Sequence, residues 1–254
     1  MTILFSRLSR WCRLLLPGLV WGSGAMAAQE PERAVQFTGD IGLVNAAGNS
    51  RVTTLSIGDR LLVRAGKVLL TQTFALVYGR NDGELNANNQ QARIRAEYPA
   101  GGRILGYGFV GYERNRFAGI ARRTDQGVGV SWAALQTERH ELQIEAGAGL
   151  AQEKVYPDPE LEETTSRRFL SGRTAFRYRY RFNPTAHIQQ SLEFLPDFNG
   201  GQAHRLASET VLVAPISRNI ALKASYLIKY NRTPPSAELA KTDRLLTTGL
   251  QISL

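Results

Sequence analysis

Cysteine is almost absent: Cys12 is the only one among 254 residues, and it lies in a basic, apolar opening segment. Past that segment the chain can form no disulfide, thiolate metal site or cysteine nucleophile. Leu-Ser-Arg-Trp precedes Cys12 and lacks the small residues of a lipoprotein cleavage site. Long apolar runs are also missing. Nothing after Ala28 approaches the roughly 20 residues of a spanning helix. Histidine is scarce, with only His140, His187 and His204, and none has a serine two residues away. That spacing would put both side chains on one wall of a strand. With no nucleophile–base constellation, an enzyme of the barrel lipid-hydrolase kind is disfavoured, although a Ser/His pair built across strands is recognised only by geometry. No helix-borne histidine motif, phosphate-binding glycine loop or calcium loop is present, so no cofactor or metal is expected. Asp158, Glu160, Glu162 and Glu163 form an acidic stretch that reads better as a solvated loop than as a cation site.

What is present begins with a leader. Arg7, Arg10 and Arg13 open the chain, Leu14 to Val20 form a short apolar run, and Ala25-Met26-Ala27 supplies small residues two apart. Charge, apolar core and small-x-small in that order describe a secretory signal peptide. Pro17 and Gly18 interrupt the apolar run, which is too short for a membrane anchor. Cleavage is expected before Ala28, giving a signal peptide over 1–27 and one domain over 28–254. Without the three leader arginines, 28 Lys and Arg stand against 22 Asp and Glu, a net charge of +6. Export argues against nucleic acid as the partner of that charge.

From Ala34 onward the apolar signal has period two. Residues 170–182 show it best: Leu170, Phe176, Tyr178, Tyr180 and Phe182 share one face, while Arg173, Arg177, Arg179 and Arg181 share the other. Successive strand side chains point to opposite faces, whereas a helix would scatter those arginines around its axis. The spacing predicts strands near 34–45, 51–64, 67–80, 89–99, 103–114, 123–135, 139–153, 167–182, 185–195, 203–214, 219–231 and 242–254. Alternation is blurred over 51–64 and 67–80. Most are long for soluble sheets and suit tilted membrane strands. From the second connection onward, short turns alternate with longer loops at 81–88, 115–122, 154–166, 196–202 and 232–241, as periplasmic turns and external loops do in outer-membrane barrels. The reading is all-β: an antiparallel, transmembrane, up-and-down β-barrel of about twelve strands. A soluble antiparallel barrel with its apolar face inward explains the alternation, but not the strand length, the loop rhythm or the apolar last strand.

Lipid cannot solvate charge, so the apolar face must be outside. This places Arg60, Arg93, Arg95, Arg173, Arg177, Arg179, Arg181, Lys223 and Lys229 in the lumen, with Asp40, Glu97, Asp125, Glu141, Glu145, Glu193 and Glu209. The arginine ladder of 173–181 lies between strands carrying Glu141 and Glu145 on one side and Glu193 on the other. Pairing across strands would stiffen the wall; an uncompensated ladder would instead select anions. The pairing reading is favoured, giving a charged, largely filled lumen and a structural or stress-related envelope role. A narrow porin-like channel for small polar or anionic solutes is the alternative. Tyr78, Tyr98, Tyr112, Tyr178 and Tyr230 sit near strand ends, as an interfacial girdle requires. Arg114, Arg116, Arg122 and Arg123 read as solvated loop residues, with lipopolysaccharide phosphates as their alternative partners. The glycine pairs Gly106/Gly108, Gly127/Gly129 and Gly147/Gly149 mark close packing or bending of the wall.

Tyr226 to Leu254, YLIKYNRTPPSAELAKTDRLLTTGLQISL, resembles the closing hairpin of the domain of unknown function 481 family, which includes proteins named as salt-induced outer-membrane proteins. The opening FTGDIGLVNAAGNSRVTTL, from Phe37 to Leu55, is similar to that family's first hairpin. Leu254 departs from the family's usual aromatic end. The resemblance implies a barrel in the outer membrane of a Gram-negative envelope, inserted by the barrel-assembly machinery, among outer-membrane lipid and lipopolysaccharide. It implies no established activity and no catalytic residue.

Overall fold

The computed structural model describes residues 34–46, 52–156, 166–198, 204–234 and 240–254. Twelve strands follow one another: β1 Val35–Ala46, β2 Val52–Ala65, β3 Val68–Asn81, β4 Glu84–Gly101, β5 Ile104–Asn115, β6 Ile120–Gln136, β7 His140–Val155, β8 Ser166–Arg181, β9 His187–Pro196, β10 His204–Pro215, β11 Ile220–Asn231 and β12 Thr242–Ser253. Each pairs antiparallel with its sequence neighbours, and β1 closes on β12 to complete a barrel. Closure matters physically, because an open sheet edge in lipid would leave backbone donors and acceptors unmet.

The register fixes the faces. Arg177 is paired with Gln143 and Ser191, whereas Tyr178 is paired with Leu142 and Gln190. The outward set is apolar and open to its surroundings: Ile94 is 61% exposed and Leu246 67%. The least exposed side chains include charged ones, with Glu145 at 4% and Arg173 at 8%. A water-soluble barrel would have the opposite order. The chain is a transmembrane β-barrel with its charges inside.

Aromatic clusters sit near both ends of the outer wall. Beside the short β6–β7 and β8–β9 turns, His140 packs on Tyr178 and Tyr180, and Tyr180 meets Phe182 edge-on. Near the opposite end His204 lies against Phe194 and Tyr230. Rings with an apolar body and a polar tip suit the two membrane–water boundaries.

One expected loop is a correction. Residues 81–88 do not form a long external connection; β3 and β4 run on to a two-residue turn at Asp82-Gly83. Asp82 has φ 49° and Gly83 φ 86°, the left-handed pair that a tight hairpin turn demands. Residues 115–122 are likewise shorter as a loop, holding a single 3-10 turn at Arg116–Ala118 before β6 begins.

Candidate functional site in the barrel lumen

The centre of the lumen is a network built on Glu145 and Arg173, from β7 and β8. Arg173 donates to Glu145 Oε2 at 2.5 Å, to Glu193 Oε1 at 2.6 Å and to Tyr107 Oη at 2.9 Å. Arg95, from β4, donates to both Glu145 oxygens at 2.9 and 3.1 Å and to Glu97 at 2.9 Å. Glu145 therefore holds two guanidiniums, one of them three strands away. Arg93 extends the network to Asp125 at 3.1 Å and toward Glu193 at 3.9 Å. Desolvated pairs like these remain charged only when each donor finds an acceptor, and here the carboxylates are interleaved with the arginines.

Tyr107 and Phe109 on β5 lie beneath these cations. The Arg95 guanidinium stands 3.9 Å from the Tyr107 ring centre, and that of Arg93 4.8 Å from Phe109, within cation–π range. The rings fit because the next two strands present glycine. A Cβ on Gly129 would meet Tyr107 Oη at 2.5 Å, and one on Gly127 would meet Phe109 at 2.7 Å. Gly127, Gly129 and Gly147 thus form a floor under two inward aromatics, while Gly149 packs against the backbone of Gln126 and Gly127. Gly106 and Gly108 face outward by their pairing with Tyr98 and Ala96 and make no such close approach.

A second cluster lies toward the end that carries the longer loops. Arg123 bonds Glu153 closely and Glu113 at 2.9 Å. Lys229 of β11 also reaches Glu113 of β5 at 2.9 Å, and these strands stand on opposite sides of the barrel. That ion pair spans the lumen. Arg123 is consequently a correction: expected as a solvated loop residue, it lies within β6 with its side chain buried in the lumen. Lower down, Lys223 binds Asp40 at 2.5 Å and Ser225 donates to Glu209 at 2.6 Å.

The arginine ladder divides into unlike parts. Arg173 is enclosed by carboxylates. Arg181 pairs closely with Glu141, which lies 3.5 Å from Arg179, and Arg179 also donates to Gln189 at 2.8 Å. Arg177 donates to the neutral Gln143 at 2.9 Å. Arg60, on β2, stands on the wall opposite Arg177 and Arg179 of β8. No carboxylate is within ion-pair distance of Arg60 or Arg177 among the described residues.

These side chains leave part of the lumen open. A cavity of about 930 Å³ reaches from Gln36 and His187 near the turn end to Asn231 and Lys241 near the loop end, passing Arg60, Arg177 and Arg179. Asp59 borders it only from the outer face of β2; the rest of its lining holds eleven Arg and Lys against seven Asp and Glu, so its balance is basic. The other histidines lie on the outer wall, His140 bonded to Tyr178 Oη at 2.8 Å and His204 between rings. Among the described residues no cluster of three or more potential ligands is placed to hold a metal.

All seven ladder residues predicted from sequence, Arg173, Arg177, Arg179, Arg181, Glu141, Glu145 and Glu193, face the lumen. Ala25 and Ala27 of the cleavage site, and Asp158, Glu160, Glu162 and Glu163 of the acidic loop, lie outside the described residues. Sequence reasoning missed Tyr107, Phe109, Glu113 and Glu153. The available signal was the pairing of inward aromatics on one strand with Gly-x-Gly on the next two.

Comparison with known proteins gives three findings. A family model described as "Protein of unknown function, DUF481" matches residues 39–254. The uncharacterised protein YdiY of Escherichia coli strain K12 is 25% identical over 177 residues, 66% of each chain and so just under two thirds of that relative. Among solved structures, the NanC porin is similar with a TM-score of 0.47 at 13% identity, covering 85% of this chain and 97% of that one. The translocator domain of the autotransporter NalP from Neisseria meningitidis gives 0.46 at 12% identity, covering 86% of each chain.

Proposed function

The chain belongs to the family described as protein of unknown function DUF481, a membership that assigns no activity, and we propose from its lumen that the barrel is a narrow channel for small polar solutes, with a preference for anions. One observation carries this reading: the cavity runs nearly end to end and passes Arg60 and Arg177, which have no carboxylate within ion-pair distance among the described residues. A basic constriction with low-dielectric walls concentrates anions and repels cations. Twelve strands lie between the filled interior of eight and the wide channel of sixteen to eighteen, and the network around Glu145 occupies one side of that space. Single-channel recording in planar bilayers tests it. Small discrete steps are expected; a membrane that stays silent at high protein load contradicts it.

The second reading is a closed, envelope-structural or stress-related barrel, favoured by the Lys229–Glu113 pair that crosses the lumen. On either reading the chain is not an enzyme, its leader is removed before Ala28, and it sits in the outer membrane after insertion by the assembly machinery. Arg114 and Arg122, outward at the loop ends of β5 and β6 by their pairing with Gln90 and Lys154, supply the contacts to lipopolysaccharide phosphates. Replacing both with serine should loosen lipopolysaccharide co-purification while leaving folding intact.

A further inference from the structure

Two polar groups within the apolar outer wall differ in whether their hydrogen bonds are met. On β9 and β10 Gln190, Ser208 and Thr210 face outward and satisfy one another. Gln190 Nε2 donates to Ser208 Oγ at 3.0 Å, and Thr210 Oγ1 donates to Gln190 Oε1 at 2.5 Å. On β2 and β3 Asp59 and Gln72 face outward as well, because Asp59 pairs with Gly39 and Phe74, and Gln72 with Leu61 and Ile94. Neither has a hydrogen bond or ion pair among the described residues. On the same face of β2, Leu55 and Ile57 lie on one side of Asp59, and Leu61 and Val63 on the other. The acid therefore stands within the lipid belt and away from its rims. A carboxylate there, beside an amide with no partner, is costly against lipid.

We propose that Asp59 and Gln72 form the centre of an interface with a second copy of this chain, each Asp59 accepting from the Gln72 amide of the other copy. Two barrels inserted the same way are related by a two-fold axis along the membrane normal, so groups that meet across it must lie at equal depth. Asp59 and Gln72 meet that condition. Strand tilt makes each paired residue on the next strand sit higher. Gln72 lies two residues below Phe74, the partner of Asp59, which returns it to nearly the depth of Asp59. One is an acceptor and the other a donor, side by side, so the patch is complementary to itself. The interface is independent of whether the lumen conducts.

Thiol cross-linking in native membranes tests this, helped by the absence of any cysteine beyond Cys12. Two differently tagged copies would be co-expressed, one carrying Asp59→Cys and the other Gln72→Cys, with Leu222→Cys on β11 as the outward control. After mild oxidation, a mixed disulfide dimer well above the control is expected. Asp59→Leu, which removes a charge from lipid and should fold at least as well, is expected to weaken self-association in micelles by roughly tenfold or more, as loss of a charge-assisted hydrogen bond does. Cross-linking no higher than the control, or unchanged self-association of Asp59→Leu, overturns the proposal. Bare lipid, or a different membrane protein on this face, would give those negative results.

Discussion

Glu145 carries two arginines from different strands while only 4% exposed. Its change to Gln keeps the shape but leaves Arg95 and Arg173 short of charge in a confined space. Breaking a buried pair in this way costs about 3 kcal/mol or more, so unfolding in detergent should begin at clearly lower denaturant for Glu145→Gln. Glu141→Gln, at a pair roughly one-third exposed, should cost less than about 1 kcal/mol. Gly129→Ala is a different kind of test. Its methyl would meet Tyr107 Oη at 2.5 Å and the Ala146 carbonyl at 2.4 Å, and overpacking of this kind costs roughly 1–3 kcal/mol. Sequence made the inward charges legible because each lies on a face opposite apolar residues. Their partners were harder to see: Lys229 and Glu113 meet across the barrel, 116 positions apart, and no local pattern encodes that contact.

At the scale of strands, alternation decides which face meets lipid. Tyr178 is outward and Arg177 inward. Tyr178→Arg should cost roughly 2–4 kcal/mol at mid-depth and less near the rim, whereas Arg177→Ser loses only a bond to neutral Gln143. Comparative detergent unfolding checks the order; greater harm from Arg177→Ser would contradict the face assignment. The alternation of β8 was plain in the sequence, while that of β2 and β3 was blurred. The structure gives the reason: Asp59 and Gln72 face outward, and Leu62, Leu69 and Val77 face inward by their pairing. The extension of β4 back to Glu84 was also hidden. Its first residues, ELNANNQQ, lack an apolar face, and only the Asp82-Gly83 turn marks it as a hairpin rather than a loop.

For the whole molecule, twelve strands were readable in advance from strand length and alternation, whereas the expected loop rhythm failed at 81–88 and 115–122. How much space remains inside was not readable, because that depends on which side chains lean on the wall. Tyr107 and Phe109 lie flat over glycine and draw Arg95, Arg93 and Arg173 to one side, leaving Arg60 and Arg177 beside the open part. The most direct test is the reversal potential of the reconstituted barrel under a salt gradient, measured for the wild type and for Arg60→Glu/Arg177→Glu. The wild type should favour anions, and the double variant should lose that preference or reverse it. A cation-selective wild type, or a selectivity that the double variant leaves unchanged, would contradict the account.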